Sequence, residues 1–139
     1  YLMRDVELIH SVDRLSILEE LDKRAQKGNI VFKILLEVNI SGEESKGGFT
    51  KEEAVDICSE ISKYENIDLR GLMTMAPFTN DESKVRAVFA GLRGLKDSIN
   101  KEIFNLEKLT ELSMGMTNDY KVALEEGATY IRIGSKIFK

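Results

Sequence analysis

One stretch near the C-terminal end, TELSMGMTNDYKVALEEGATYIRIGS at residues 110–135, gathers residue types that can seat an anion. Thr117 and Ser135 supply small hydroxyls. Gly115 and Gly134 supply turns whose backbone N–H groups can face a ligand. The grammar is strand, turn, helix, strand. Residues 112–114 read as a short apolar strand running into Gly115, and Thr117, Asn118 and Asp119 suit a helix N-cap. Residues 120–126 then give two helical turns, ended by Gly127. Residues 130–133 read as a second strand, with Gly134 and Ser135 at its C-terminal end. In parallel α/β architecture both glycine turns open on one face of the sheet, where a phosphate would sit. The same grammar also serves as plain turn chemistry, and pattern alone leaves both readings standing. Arg132 lies inside the apolar run IRIG, where alternation places it opposite Ile131 and Ile133 and its charge needs a partner. That partner is an anion, a ring nitrogen or a structural carboxylate.

Other chemistry-bearing residues are sparse. No CxxC, HExxH, GxSxG or Walker loop is present, and the single histidine, His10, excludes a histidine-rich metal site. Lys46 sits in the polar glycine-rich loop SGEESKGG (41–48), where it either reaches over the strand ends or is simply solvated. The single cysteine, Cys58, shares a helical face with Ala54, Ile57 and Ile61 and reads as a small buried hydrophobe.

The elements that must position these residues follow from periodicity. Residues 6–9 are a short β-rich run. Leu15, Leu18, Leu21 and Ala25 recur at helical spacing, with Ser11 or Asp13 as cap and Gly28–Asn29 as stop. Residues 30–40, IVFKILLEVNI, read as a strand buried on both faces of a parallel sheet. Thr50 with Glu53 fits a capping box. DLRGLMTM (68–75) is the next strand. Val85, Val88, Phe89, Leu92 and Ile99 mark a helix opened by Asn80 or Asp81, in which Gly91 and Gly94 imply close packing. Strand and helix thus alternate four times before a fifth strand, the order of a parallel α/β sheet. The 139 residues are too few for a whole (β/α)₈ barrel of roughly 250.

Composition sets the class. Hydrophobic residues make up 42% and charged residues 32%, as in an ordinary globular domain. A net charge of −4 argues against a general nucleic-acid or anionic-membrane binder. One cysteine, no signal-peptide pattern and no long apolar run lead to the expectation of a cytoplasmic protein.

Five motifs in register carry a family resemblance: IHSVDR (9–14), VNISGEESKGGF (38–49), RGLMTM (70–75), LSMGMTND (112–119) and YIRIGSKIF (130–138). Together they closely resemble the pyridoxal phosphate homeostasis proteins (YggS/PROSC-like), relatives of the N-terminal domain of alanine racemase. The resemblance implies a single domain over residues 1–139, a partial (β/α)₈ TIM barrel of the alanine racemase N-terminal type corresponding to strands four to eight. It also implies pyridoxal 5′-phosphate at the C-terminal strand ends, a role in vitamin B6 homeostasis and no established catalytic turnover. By the same resemblance Ser113, Thr117, Gly134 and Ser135 contact the phosphate, with Met116 beside them in the site. Arg132 then faces the pyridine nitrogen and Met73 lines the pocket wall. The family's Schiff-base lysine belongs to the first barrel strand and has no match here, so covalent attachment is not expected in this chain. Two alternatives carry different consequences. A racemase-like enzyme needs that lysine. A non-binding barrel fragment would instead self-associate through open sheet edges.

Overall fold

The computed structural model describes residues 9–42, 47–76, 79–106, 108–115, 120–129, 131–133 and 136–138, with backbone alone for 9–11, 131–133 and 136–138. Four strands form a parallel sheet in chain order: β1 (Ile9–Val12), β2 (Phe32–Glu37), β3 (Ile67–Met73) and β4 (Glu111–Ser113). Helices α1 (Leu15–Gly28), α2 (Lys51–Ser59) and α3 (Glu82–Ile99) make the crossovers.

Register shows where the core sits. Val12, Leu36, Leu72 and Leu112 are aligned across the four strands, and each is essentially buried. Leu18 of α1, Ala54 and Cys58 of α2, and Phe89 and Leu92 of α3 join the same cluster. Side chains alternate between faces along a strand. Glu37, Met73 and Ser113, the next aligned row, therefore belong to the opposite face. Between Ile34 and Leu35 the register slips by one residue, so that Arg70 is the extra residue of β3 and Leu35 pairs with Gly71. On its other side Gly71 is the register partner of Glu111 in β4, and a Cβ on Gly71 would overlap the Glu111 carbonyl. Glycine is required there by contact.

Local chemistry explains most element ends. Thr50 caps α2 with the full reciprocal box: its hydroxyl accepts from Glu53 N–H (3.0 Å), and the Glu53 carboxylate accepts from Thr50 N–H (2.9 Å). Asp81 caps α3 through Ser83 N–H at 3.0 Å, and every apolar position assigned to that helix is buried. Asn29, left-handed at φ 55°, ends α1. Gly91 would bring a Cβ within 3.0 Å of Ile40, in keeping with close packing, whereas Gly94 faces open space.

Three expectations need correction. Neither Ser11 nor Asp13 caps α1: Arg14 is the N-cap and makes no side-chain cap bond, while the Asp13 carboxylate is taken by the Arg14 guanidinium at 3.3 Å. The β2 strand is shorter than the run at 30–40, because Ile30 N–H turns back to Ala25 O, extending the helix cap, and Val31 is exposed. Most consequentially, among the described residues the strand at the end of the chain has its ladder outside the parallel sheet. After α4 (Tyr120–Glu125), β5 (Ile131–Ile133) pairs antiparallel with β6 (Lys136–Phe138), a strand the sequence reading did not assign.

Candidate functional site

The C-terminal ends of β2, β3 and β4 carry the candidate site. Glu37, Met73 and Ser113 lie side by side in register. Met73 is buried and Ser113 half-buried. The ladder continues one residue beyond the strands: Val38 N–H donates to Met73 O (2.8 Å), and Thr74 N–H donates to Ser113 O (3.1 Å). The Thr74 hydroxyl, almost fully buried, donates to Val38 O at 2.7 Å and cross-links the two strand ends. The glycine-rich loop returns onto β2 here. Phe49 N–H donates to Glu37 O and Asn39 N–H to Phe49 O, both at 2.8 Å. Asn39 Oδ1 accepts from Gly42 N–H (2.9 Å) and from the Ser41 hydroxyl (3.2 Å), shaping the loop's first turn.

Beside this rim, a chain of contacts fixes how α4 hands over to β5. Gly127, at φ 100°, follows the last turn of α4, with Gly127 N–H donating to Leu124 O and Ala128 N–H to Ala123 O. That pair of bonds is a Schellman cap, and its left-handed position favours glycine. Thr129 then docks onto β4: its N–H donates to Leu112 O (2.8 Å) and its hydroxyl accepts from Leu112 N–H (2.8 Å). Glu126, also nearly buried, is held by α3. Its carboxylate meets Arg86 at 2.9 Å and Arg93 at 3.0 Å, and its backbone carbonyl accepts from Arg93 at 3.2 Å. Arg86 also pairs with Glu125 (2.7 Å) and Glu82 (3.2 Å). Hydrogen bonds donated to Glu125, then to Glu126 and Glu82, hold the pKa of its guanidinium above the ordinary arginine range.

Of the predicted site residues, the structure brings Met73 and Ser113 onto neighbouring strand ends. Arg132 lies in the middle of β5 opposite Ile137, with only its backbone described. Met116, Thr117, Gly134 and Ser135 lie outside the described residues, as do Lys46 and the expected caps Asn118 and Asp119. Glu37, Thr74, Glu126 and Thr129 were not singled out from sequence. Glu37 had a detectable signal, since it breaks the apolar run of β2 at its C-terminal end. A cleft of about 210 Å³ lined by Leu15, Phe49, Ile57 and Tyr64 contains none of the predicted site residues. Among the described residues no acidic, histidine or cysteine cluster is arranged to hold a metal ion, and no helix is long and apolar enough to cross a membrane.

Parallel strands joined by crossover helices are the repeating unit of an α/β barrel. The chain belongs to the alanine racemase N-terminal domain family, whose sequence profile matches residues 2–139. It is 45% identical to the pyridoxal phosphate homeostasis protein of Aquifex aeolicus over 99% of this chain and 60% of that protein. It is similar to PipY of Synechococcus elongatus solved without pyridoxal phosphate (TM-score 0.83, 34% identity, 92% of this chain and 59% of PipY). It is also similar to PipY solved with pyridoxal phosphate bound (TM-score 0.80, 32% identity, 92% and 58%). The chain thus spans about three fifths of the length of these relatives, and its fold is an arc of their α/β barrel.

Proposed function

We propose that this chain is the phosphate-seating part of a pyridoxal 5′-phosphate homeostasis protein, one that holds the cofactor without catalytic turnover. The observation that carries this reading is the likeness, over 92% of the chain, to PipY with pyridoxal phosphate bound. The strand-end rim supports it. Ser113 presents a hydroxyl beside the apolar wall of Met73, and the chain beyond Ser113 turns at Gly115 with φ 101°. That is a donor set suited to a phosphate bordered by an aromatic ring. In this reading Ser113, Thr117, Gly134 and Ser135 hold the phosphate, Met116 and Met73 border the site, and Arg132 faces the ring nitrogen.

When bound, the cofactor supplies an electron sink for carbanion chemistry. Arginine is effectively always protonated. Placed at the ring nitrogen it opposes protonation there and weakens that sink, which gives binding without broad catalysis a physical reason. Seating by this chain is non-covalent, because no lysine here matches the family's cofactor lysine. In the alternative reading of a non-binding fragment, the chain would instead self-associate through sheet edges that no described strand covers.

Titration of the purified chain with pyridoxal 5′-phosphate, followed by cofactor absorbance, tests the reading. Arg132→Ala and Ser135→Ala are each expected to weaken binding about tenfold, the scale of one charge-assisted hydrogen bond. Borohydride treatment should add no mass. Unchanged affinity in both variants would remove the site assignment.

A further inference from the structure

The cleft between α1, α2 and the short turn after α2 is separate from the strand-end rim, since Glu37, Met73 and Ser113 do not line it. Its walls are apolar, made by Leu15, Phe49, Ile57 and Tyr64, and its acidic groups are Glu53, Asp56 and Glu60. These three carboxylates follow the i, i+3, i+7 spacing of one helix face. Glu53 is committed to the capping box of α2 and Glu60 to Lys63, whereas the exposed Asp56 has no hydrogen-bond or ion-pair partner among the described residues. At about 210 Å³ the cleft is smaller than the roughly 300–1,000 Å³ of most small-molecule sites and suits one long side chain. Lys63 shows what chemistry it accepts. The Lys63 ammonium lies 5.4 Å from the centre of the Tyr64 ring and donates to the Glu60 carboxylate at 2.9 Å. A cation over an aromatic face is favourable, the more so beside a carboxylate. The Tyr64 hydroxyl is buried and has no hydrogen-bond partner among the described residues. A polar group left so costs free energy until a partner reaches it.

We propose that this cleft is a docking pocket for one arginine side chain of a partner protein, whose guanidinium takes the place over Tyr64 held by Lys63 and pairs with Asp56 and Glu60. Charge complementarity selects the occupant: three carboxylates against one ammonium leave the cleft net negative. The arginine stem packs along Leu15, Phe49 and Ile57, as long charged side chains do on apolar surface. Arginine suits the pocket better than lysine, because a planar guanidinium stacks on a ring and carries five donors for the carboxylates. Arginine is also a common anchor at protein interfaces. Lys63 is then a built-in competitor. Its pair with Glu60 is exposed on both sides, 58% and 65%, so displacing it costs little. The pocket is independent of the cofactor seat.

The probe is the peptide acetyl-Gly-Arg-Gly-amide, compared with the same peptide carrying uncharged citrulline in place of arginine. Each is titrated into nitrogen-15-labelled protein and followed by backbone amide shifts. The wild type is measured beside Asp56→Asn, Lys63→Met and Lys121→Met. All three substituted side chains are exposed, so the fold is retained. Lys121 lies on α4, outside the cleft, and its loss changes net charge as much as the loss of Lys63 does. The arginine peptide is expected to shift amides within residues 53–64 saturably, and the citrulline peptide to leave them in place. Asp56→Asn should weaken binding roughly threefold and Lys63→Met should strengthen it roughly threefold. Lys121→Met should match the wild type. Several outcomes overturn the pocket: no saturable shift in the wild type and Lys63→Met alike, shifts centred outside the cleft, or an equal response to citrulline. Binding unchanged in Asp56→Asn, or strengthened as much by Lys121→Met as by Lys63→Met, does the same, because general attraction to an acidic protein then explains it.

Discussion

Cys58 lies on the inner face of α2 among Ala54 and the sheet residues, and burial pushes its thiol up from 9.0 to about 12, partly offset by the charge of Lys108. The folded state thus prefers the protonated thiol more strongly than the unfolded chain does. The stability this group contributes is complete below pH 9 and is lost as pH rises toward 12. The wild type should lose stability more steeply than Cys58→Ala across that window, by up to about 1.4 kcal/mol per pH unit. Denaturant midpoints at stepped alkaline pH measure the difference; parallel slopes would show that the thiol is not the titrating group. Helical spacing alone placed this residue in the core. The role of Gly71 was not legible in the same way, because what forbids a side chain there is the backbone of Glu111, forty residues away in sequence and brought near by strand pairing.

Among the elements, α2 is the one whose start was most fully readable, since both halves of its capping box lie within four residues of sequence. Thr50→Ala removes the acceptor for Glu53 N–H and should cost about 1 kcal/mol, with the fold retained. Thermal denaturation followed by circular dichroism checks this, and an unchanged midpoint would mean that water satisfies the helix end equally well. The start of α1 shows the limit of such reading. Asp13 is a good cap by type, yet its carboxylate goes to Arg14 and the helix begins one residue later than such a cap requires. A cap is a competition among local acceptors, and the sequence names the competitors without the geometry that decides between them. The far end of α3 was equally silent. Its last turn passes into a π-turn at Asn100–Phe104, and the buried Asn100 amide bonds both the N–H and the C=O of Leu109.

At the scale of the whole molecule, the sheet has two edges of different character. On the β4 side, Thr129 and the α4 turn occupy the ladder at Leu112. On the other side β1 has β2 as its one described strand partner. An edge with no second strand partner among the described residues offers backbone donors and acceptors to another chain. Sedimentation equilibrium over a range of concentrations is therefore expected to give a mass above 15.7 kDa that rises with concentration. A constant monomer mass would show that β1 is already covered. Cofactor seated at the strand ends should raise the melting temperature without changing this assembly, because the rim and the β1 edge are separate surfaces.

Sequence by itself determined the alternation of strands and helices, the apolar faces of α2 and α3, the capping box and the motifs that carry the family resemblance. Each of these depends on residues within a turn or two of one another, or on composition along a single segment. Tertiary structure alone decided the alignment of Glu37, Met73 and Ser113 on one rim, the close approach of Glu111 that demands Gly71, the grip of α3 on Glu126 and the pairing of β5 with β6. These depend on strand register and on which distant backbone arrives first at a hydrogen-bonding partner, and neither is encoded in the spacing of residues along one segment.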